Sequence, residues 1–369
     1  MLDRNAAPEV ALLDPVFIPR IWGARSLSPL YSDRTNLFEP TGEAWLTSND
    51  SRFATGRFAG QTLADTWQKL AVDARHPLGV GESAQFPLLA KFIFPAEKLS
   101  VQVHPNDEYA AKFEKSAGGR GKTEMWYVAD ADPGAAVWLG LEEWVTPERF
   151  REAIDAGNAD QLVERIPIKK GDAIFCPPGT VHYIGPGMTL CEIQQYSDIT
   201  YRVFDYNRRT PEGNSRQLHL KKAMDVIRFG GQLGGKVDPV EISEADVKKT
   251  SLVACPYFIV ERFDFDKNWK APGLADHFNV YIILEGRGQL HHAPSKTQPQ
   301  AEAPKVHDYQ PGQAWLAPPR SPSITFAAQT TTSLLRAFVP HPVNGINEFV
   351  RDMRANKIPE SQWSRLVFT

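Results

Sequence analysis

The stretch Leu99–Val128, LSVQVHPNDEYAAKFEKSAGGRGKTEMWYV, decides how the rest of the chain is read. Leu99, Val101 and Val103 alternate with Ser100, Gln102 and His104, so an extended strand presents Gln102 and His104 on one face. Glu124 opens a second strand-like run. A ligand pair at period two, joined by a residue from a neighbouring strand, is how a β-barrel gathers side chains around one ion in its interior. The fourth partner is His182, in IKKGDAIFCPPGTVHYIGPG (168–187), where PPGT turns the chain and the histidine starts a further strand. Taken singly these residues have plainer readings: the polar face of an edge strand for Gln102 and His104, a surface ion pair for Glu124. As a set, imidazole, carboxylate and amide oxygen suit a borderline divalent ion such as zinc, and an open coordination position makes such a site catalytic.

Composition bounds what surrounds this stretch. The 369 residues, 42% hydrophobic and 23% charged, suffice for two domains of ordinary size or one large one. With 29 Pro and 26 Gly among 20 Phe and 9 Trp, the chain reads as many short strands and turns. A formal net charge of -3 gives no global basic field to attract nucleic acid or a membrane surface, though local basic groups can bind an anion. Cys176, Cys191 and Cys255 form neither a CxxC pair nor a disulfide framework, which fits a reducing compartment. The first residues, MLDRNAAPEVALLDPVF, lack the basic and apolar regions of a signal peptide, and no apolar run approaches the roughly 20 residues of a membrane span. A cytoplasmic protein is expected.

Along the chain, FIPRIWGARSL and TGEAWLTS read as strands covering an end of a barrel. Gln61 to Ala74 has Leu63, Trp67, Leu70 and Ala71 at helical spacing. A short helix is expected between Glu108 and Lys115, capped by Asn106 or Asp107. Thr146 as N-cap and Pro147 at the first helical position open another, with a second helix from Asn158 to Glu164. Together they make a helical insertion near 146–164. Leu218 to Ile227 reads as a helix, followed by the Gly-rich GGQLGGK. The expected organisation is a metal-binding unit at 1–229, a linker at 230–238 and a second unit at 239–369.

A weak internal repeat supports two similar β-units. EMWYVADADPG resembles FNVYIILEGRG, pairing Tyr127 with Tyr281, and KKGDAIFCPPGTVHYI resembles QPGQAWLAPPRSPSITF, pairing Gly171 with Gly312. Glu124 then falls opposite Phe278 and His182 opposite Ser323, so the second unit lacks both ligands. Its histidines, His277, His291, His292 and His307, are expected at the surface.

The repeated PG(D/Q)xxxxPP-type element resembles the cupin superfamily, whose units are small antiparallel jelly rolls, so the expected fold is mainly β: two cupin-type jelly-roll β-barrels with short helical insertions. LSVQVHPNDEYA, GKTEMWYV, PPGTVHYIG and QYSDITYRVFDYNR, with RIWG and GEAW earlier, resemble type I mannose-6-phosphate isomerase from about Phe17 into the second unit. That resemblance implies Gln102, His104, Glu124 and His182 as ligands of one zinc ion per chain. It also implies catalytic roles for Lys122, two places before the ligand glutamate, Asp198 of the SD motif, and Arg202. On the residues alone these are a surface lysine, a turn-forming aspartate and an arginine pairing with Asp205. The implied reaction interconverts mannose 6-phosphate and fructose 6-phosphate through a cis-enediol, which requires proton shuttling between carbon and oxygen and stabilisation of an oxyanion. Lys91 and Ser100 are candidate phosphate contacts, against a stem-packed surface lysine and an ordinary strand serine.

Two departures stand out. Gly121 occupies a position where some members of that family have a histidine, and the long helical domain of the larger eukaryotic members is missing. Two other readings compete: another metal-dependent cupin enzyme, such as an iron dioxygenase, which would use more histidines, and a non-catalytic sugar-binding or regulatory cupin that keeps the ion as a staple.

Overall fold

Strands dominate this chain, and central strands of its long sheets are buried on both faces. A computed structural model describes residues 9–67, 85–209, 213–231, 234–244, 246–271, 277–292, 305–319, 321, 323–341 and 345–368. Its described strands form four antiparallel sheets. The first long sheet runs β13 (Gly235–Lys236), β9 (Ala173–Cys176), β6 (Glu124–Ala131), β11 (Met188–Gln195), β4 (Leu88–Ile93), β3 (Thr41–Trp45) and β2 (Val16–Ala24). A shorter sheet runs β12 (Tyr201–Phe204), β5 (Val101–Val103), β10 (His182–Ile184), β7 (Ala136–Leu141) and β8 (Val163–Pro167).

The second half repeats the plan. Its long sheet runs β1 (Ala11–Leu13), β21 (Ala314–Ala317), β18 (Asn279–Glu285), β23 (Thr332–Phe338), β16 (Ile259–Phe265), β15 (Val247–Ala254) and β14 (Val240–Glu244). Its short sheet runs β17 (Asn268–Ala271), β22 (Ile324–Ala328), β19 (Gly288–His292) and β20 (Lys305–Tyr309). The order β9-β6-β11-β4-β3 therefore matches β21-β18-β23-β16-β15, and β5-β10-β7-β8 matches β17-β22-β19-β20. This is a mainly β molecule of paired jelly-roll type.

Each half has its own interior. Trp22, Ile93, Trp126, Leu139, Ile174 and Leu190 fill the first. Phe263, Trp269, Tyr281, Leu290, Trp315 and Phe326 fill the second. The opposite faces of the two long sheets meet in one shared core, where Leu88, Phe92 and Phe175 join Val260, Val280, Leu316 and Leu335. Every residue of β4 is buried as a result. The outer face of the first short sheet is covered by helices: Val101, Val103 and Tyr201 pack with Ala110, Phe150 and Ala223.

The helices follow their local signals. Asn106 caps α2 (Asp107–Phe113) by accepting from the Tyr109 amide at 2.9 Å, and Thr146 caps α3 (Pro147–Asp155) by accepting from Arg149 at 3.3 Å. α4 (Leu220–Val226) stands within the expected span. α1 (Leu63–Trp67) is the start of the expected Gln61 to Ala74 helix, whose remainder lies outside the described residues.

Four expectations are corrected. The second insertion helix is only a 3-10 turn, Ala159–Leu162, because Val163 and Ile166 go into β8, where Ile166 pairs with Val137. The strands β2 and β3 do not cap a barrel end; β3 pairs with β4 and extends the long sheet. His292 is buried, not at the surface, since it points inward on β19 beside His307, with ring centroids 5.7 Å apart.

The fourth correction concerns the repeat, which is displaced by one residue in β18 and in β22. Trp126 lies opposite Glu192 and Tyr281 opposite Arg336, so Tyr281 matches Trp126 rather than Tyr127, and Glu124 matches Asn279 rather than Phe278. On β22 the inward residues are Ile324 and Phe326, which leaves Ser323 out of the position of His182. On β18 both faces are buried, so there is no apolar-polar alternation to betray a one-residue slip.

Candidate active site

Three strands bring the ligand set together. His182 on β10 lies directly opposite Gln102 on β5, and β6 delivers Glu124 at its first residue. His182 Nε2 is 3.3 Å from Glu124 Oε1, His104 Nε2 is 3.6 Å from Glu124 Oε2, and the Gln102 amide nitrogen is 3.2 Å from His182 Nε2. Backbone carbonyls orient both rings from behind, Ile199 at 2.9 Å from His104 Nδ1 and Thr180 at 3.0 Å from His182 Nδ1. Each Nδ1 thus carries the proton and each Nε2 lone pair faces inward. Burial holds both imidazoles neutral, His104 well below its ordinary value and His182 down to about 4.

This donor set fits a divalent ion. His104 Nε2 and Glu124 Oε1 are buried without a hydrogen-bond partner, Glu124 Oε2 has the Lys122 ammonium beside it, and His104, Glu124 and His182 form the group of metal-capable side chains found among the described residues. Such atoms are costly to bury unless a cation satisfies them. A cation takes an amide through oxygen, so Gln102 joins with its carboxamide turned over from the orientation seen here.

Beside the set opens a cavity of about 450 Å³, lined by Gln102, Lys122, Asp198, Arg202, Ser100 and Lys91 among others. All six residues of the expected site other than His104, Glu124 and His182 therefore line this one space. Lys122 is buried, 3.0 Å from Glu124 Oε2 and 3.7 Å from Glu192 Oε1, so the surface-lysine alternative is wrong. Burial disfavours its charge, but Glu124 and Glu192 outweigh that and raise it above the ordinary lysine value. Asp198 is exposed on the loop after β11. Arg202 does not pair with Asp205: its Nε donates to Ser100 Oγ at 3.2 Å and its Nη1 to the Gln217 carbonyl at 3.0 Å. Lys91 is also buried, clamped by Glu43 at 3.2 Å and Glu192 at 3.1 Å.

Reading the sequence missed the residues that connect these groups. Arg20, Glu43, Lys91, Glu192, Lys122 and Glu124 form an unbroken series of alternating charges from the cavity rim to the ligand set. Glu43 and Glu192 each sit mid-strand among apolar residues, in GEAW and TLCEIQ, and that was the available signal. Burial alone raises Glu43, but Lys91 and Arg20 more than offset it and bring it down to about 2. Gly121 is explained here as well. A Cβ at that position would lie 2.5 Å from the Asn106 carbonyl carbon and the Asp107 nitrogen, so this chain has no room for a histidine before Lys122.

Fold and site together define a two-unit cupin-type protein whose first unit holds a buried, metal-capable centre at the end of a charged cavity. A sequence model of the phosphomannose isomerase type I catalytic domain matches residues 12–131. The mannose-6-phosphate isomerase ManA of Bacillus subtilis is 37% identical over 291 residues, covering 76% of this chain and 87% of that protein. A mannose-6-phosphate isomerase of Streptococcus mutans is 35% identical over 288 residues, covering 76% and 87%. The crystal structure of the mannose 6-phosphate isomerase from Bacillus subtilis superposes with a TM-score of 0.77 at 30% identity, over 89% of this chain and 99% of that one. This chain belongs to the type I mannose-6-phosphate isomerase family, and it is an enzyme of that type.

Proposed function

We propose that the chain interconverts mannose 6-phosphate and fructose 6-phosphate through a cis-enediol, using one zinc ion held by Gln102, His104, Glu124 and His182. The observation that carries this reading is the buried, converging ligand atoms of His104, Glu124 and His182 beside a cavity lined by Lys122, Asp198 and Arg202. When bound, the ion supplies Lewis-acid polarisation of the substrate oxygens. Lys122, kept as an ammonium by two carboxylates, donates a proton to the sugar oxygen that gains charge. Asp198 faces the same cavity as the carboxylate that moves the proton between the adjacent carbons. Arg202 and Ser100, already joined by a hydrogen bond, hold the anionic phosphate with planar and hydroxyl donors. Lys91, with two carboxylate partners, contributes positive charge to the cavity wall.

The catalytic unit in this reading is 1–229, with 230–238 as linker and 239–369 as a unit without its own ligand set. A reducing, cytoplasmic setting suits Cys176, Cys191 and Cys255, which are all buried and unpaired. No helix among the described residues is long and apolar enough to cross a membrane.

The test is turnover of mannose 6-phosphate to fructose 6-phosphate by the purified protein before chelation, after it and after zinc return, with Glu124→Gln alongside. The expected result is activity lost on chelation, restored by zinc and absent from Glu124→Gln. Metal-loaded protein that binds the sugar phosphate without turning it over would instead identify a sugar-binding cupin. Restoration by iron and not by zinc would overturn the metal assignment.

A further inference from the structure

The charges of the cavity are not evenly balanced along its length. Arg20, Lys91 and Lys122 each meet a carboxylate of Glu43, Glu192 or Glu124. Arg202 meets none, since its hydrogen bonds go to Ser100 and the Gln217 carbonyl. Arg216, which lines the same cavity, is held by a carboxylate that does not line it. Its Nε donates to Asp205 Oδ2 at 2.8 Å and its Nη2 to Asp205 Oδ1. Arg208 takes the same carboxylate at 2.6 Å and is itself fixed to the Lys98 carbonyl at 2.6 Å. The Asp205 side chain is only 6% exposed, so two guanidinium groups enclose it.

Among the described residues, no protein hydrogen bond engages Arg202 Nη2 or Arg216 Nη1. Two guanidinium groups thus contribute to one cavity, and neither is paired with a carboxylate that lines it. Their repulsion shows in Arg202, which burial and then the Arg216 charge push below the ordinary arginine value. An anion with several oxygens relieves this arrangement, because planar donors take oxyanions in pairs. The location also suits the substrate's length. Ser100, the partner of Arg202, precedes Gln102 by two residues on one strand face, which is roughly 6.6 Å along an extended chain. An open hexose phosphate separates its carbonyl from its phosphate by a distance of the same order.

We propose that Arg216 is a second phosphate-binding donor alongside Arg202, and that Asp205, with Arg208, is the positioning residue that aims it and so sets the preference for a phosphorylated sugar. This rests on the isomerase reading above. Asp205 touches no substrate in this assignment; it acts by removing the freedom of Arg216, so that the fork is in place before the ligand arrives.

The experiment measures KM and kcat for mannose 6-phosphate, and competitive inhibition by inorganic phosphate, in wild type, Arg216→Ala, Arg216→Lys and Asp205→Asn. Arg216→Ala is expected to raise KM roughly ten- to hundredfold and the phosphate inhibition constant by a similar factor, while kcat falls less than about threefold. Arg216→Lys, which keeps the charge but not the fork, should fall between it and wild type. Asp205→Asn should move both constants the same way by a smaller factor. Should Asp205→Asn fail to fold, Arg208→Met, which removes the other partner of the carboxylate, is expected to raise both constants and carries that part of the test. Unchanged KM and phosphate inhibition in Arg216→Ala overturn the assignment, and so does a loss confined to kcat. A shift in Arg216→Ala with none in Asp205→Asn or Arg208→Met overturns the positioning role. A wild type that isomerises no sugar phosphate sinks the isomerase reading alone. Calorimetric binding of inorganic phosphate to wild type and Arg216→Ala then still decides the pocket.

Discussion

Glu43 carries three partners on one buried carboxylate: Arg20 at 2.7 Å, Lys91 at 3.2 Å and the Trp45 indole nitrogen at 3.1 Å. Removing its charge leaves Lys91 underpaired in the interior, and Glu43→Gln is expected to destabilise the protein by about 3–5 kcal/mol at neutral pH. The pH dependence has a definite sign. The folded Glu43 value of about 2 lies below its ordinary 4.5, so its contribution is complete above pH 4.5 and is lost as pH falls toward 2. Lys91 is raised, and its contribution is present below its ordinary 10.5 and disappears only as pH rises through the higher folded value. Denaturant midpoints of wild type and Glu43→Gln should therefore converge on acidification through that lower window. Parallel curves across it would show that Glu43 is not the linked group.

At the scale of the element, the two halves share strand order but have opposite charge at equivalent ladder positions. In the first, Lys91 on β4 faces Glu192 on β11, with Glu43 on β3 completing the triad. In the second, Glu261 on β16 faces Arg336 on β23, with Lys249 on β15 at 2.8 Å from Glu261. Lys249 also reaches Asp352 of α5 (Gly345–Ala355) at 2.7 Å, so the second triad fastens a C-terminal helix where the first faces a cavity. The same strand positions hold a helix in one half and line a cavity in the other. Glu261→Gln should cost about 3–5 kcal/mol in urea unfolding, yet leave kcat for mannose 6-phosphate unchanged at temperatures where the variant is folded. A fall in kcat under those conditions would mean that the second half contributes to the reaction directly.

At the scale of the whole molecule, the halves are joined through the backs of their long sheets and by exchanged edge strands. β1, near the start of the chain, pairs with β21 of the second half, and β13, after the Gly-rich stretch, pairs with β9 of the first. Tyr31 donates to the Gly312 carbonyl at 2.8 Å and Arg262 to the Tyr127 hydroxyl at 3.0 Å across the same junction. Edge strands covered in this way are withheld from pairing with other chains. A chain starting at Asp14 loses β1 together with the fully buried Val10 and Leu13, a cost of roughly 3–6 kcal/mol for the two side chains. Its thermal midpoint should fall clearly. A midpoint equal to that of the full chain would show that β1 adds nothing to the junction.

The sequence by itself determined the strand-rich class, the candidate ligands that the fold brings together and the helix starts at Asn106 and Thr146. These depend on local patterns: QVH at period two, the turn before His182, and the Asn106 and Thr146 caps. It also carried the likeness that singled out Lys122, Asp198 and Arg202. Only the tertiary structure decided the partners of those residues. Glu192 lies far from Lys122 in sequence and meets it in the folded chain, and Lys91, Glu43 and Arg20 follow in turn behind Glu192. Asp205 turned out to belong to Arg208 and Arg216, not to Arg202. The register of the repeat was likewise beyond reach, because back-to-back packing makes both faces of the central strands apolar. Period two is legible only where one face is wet.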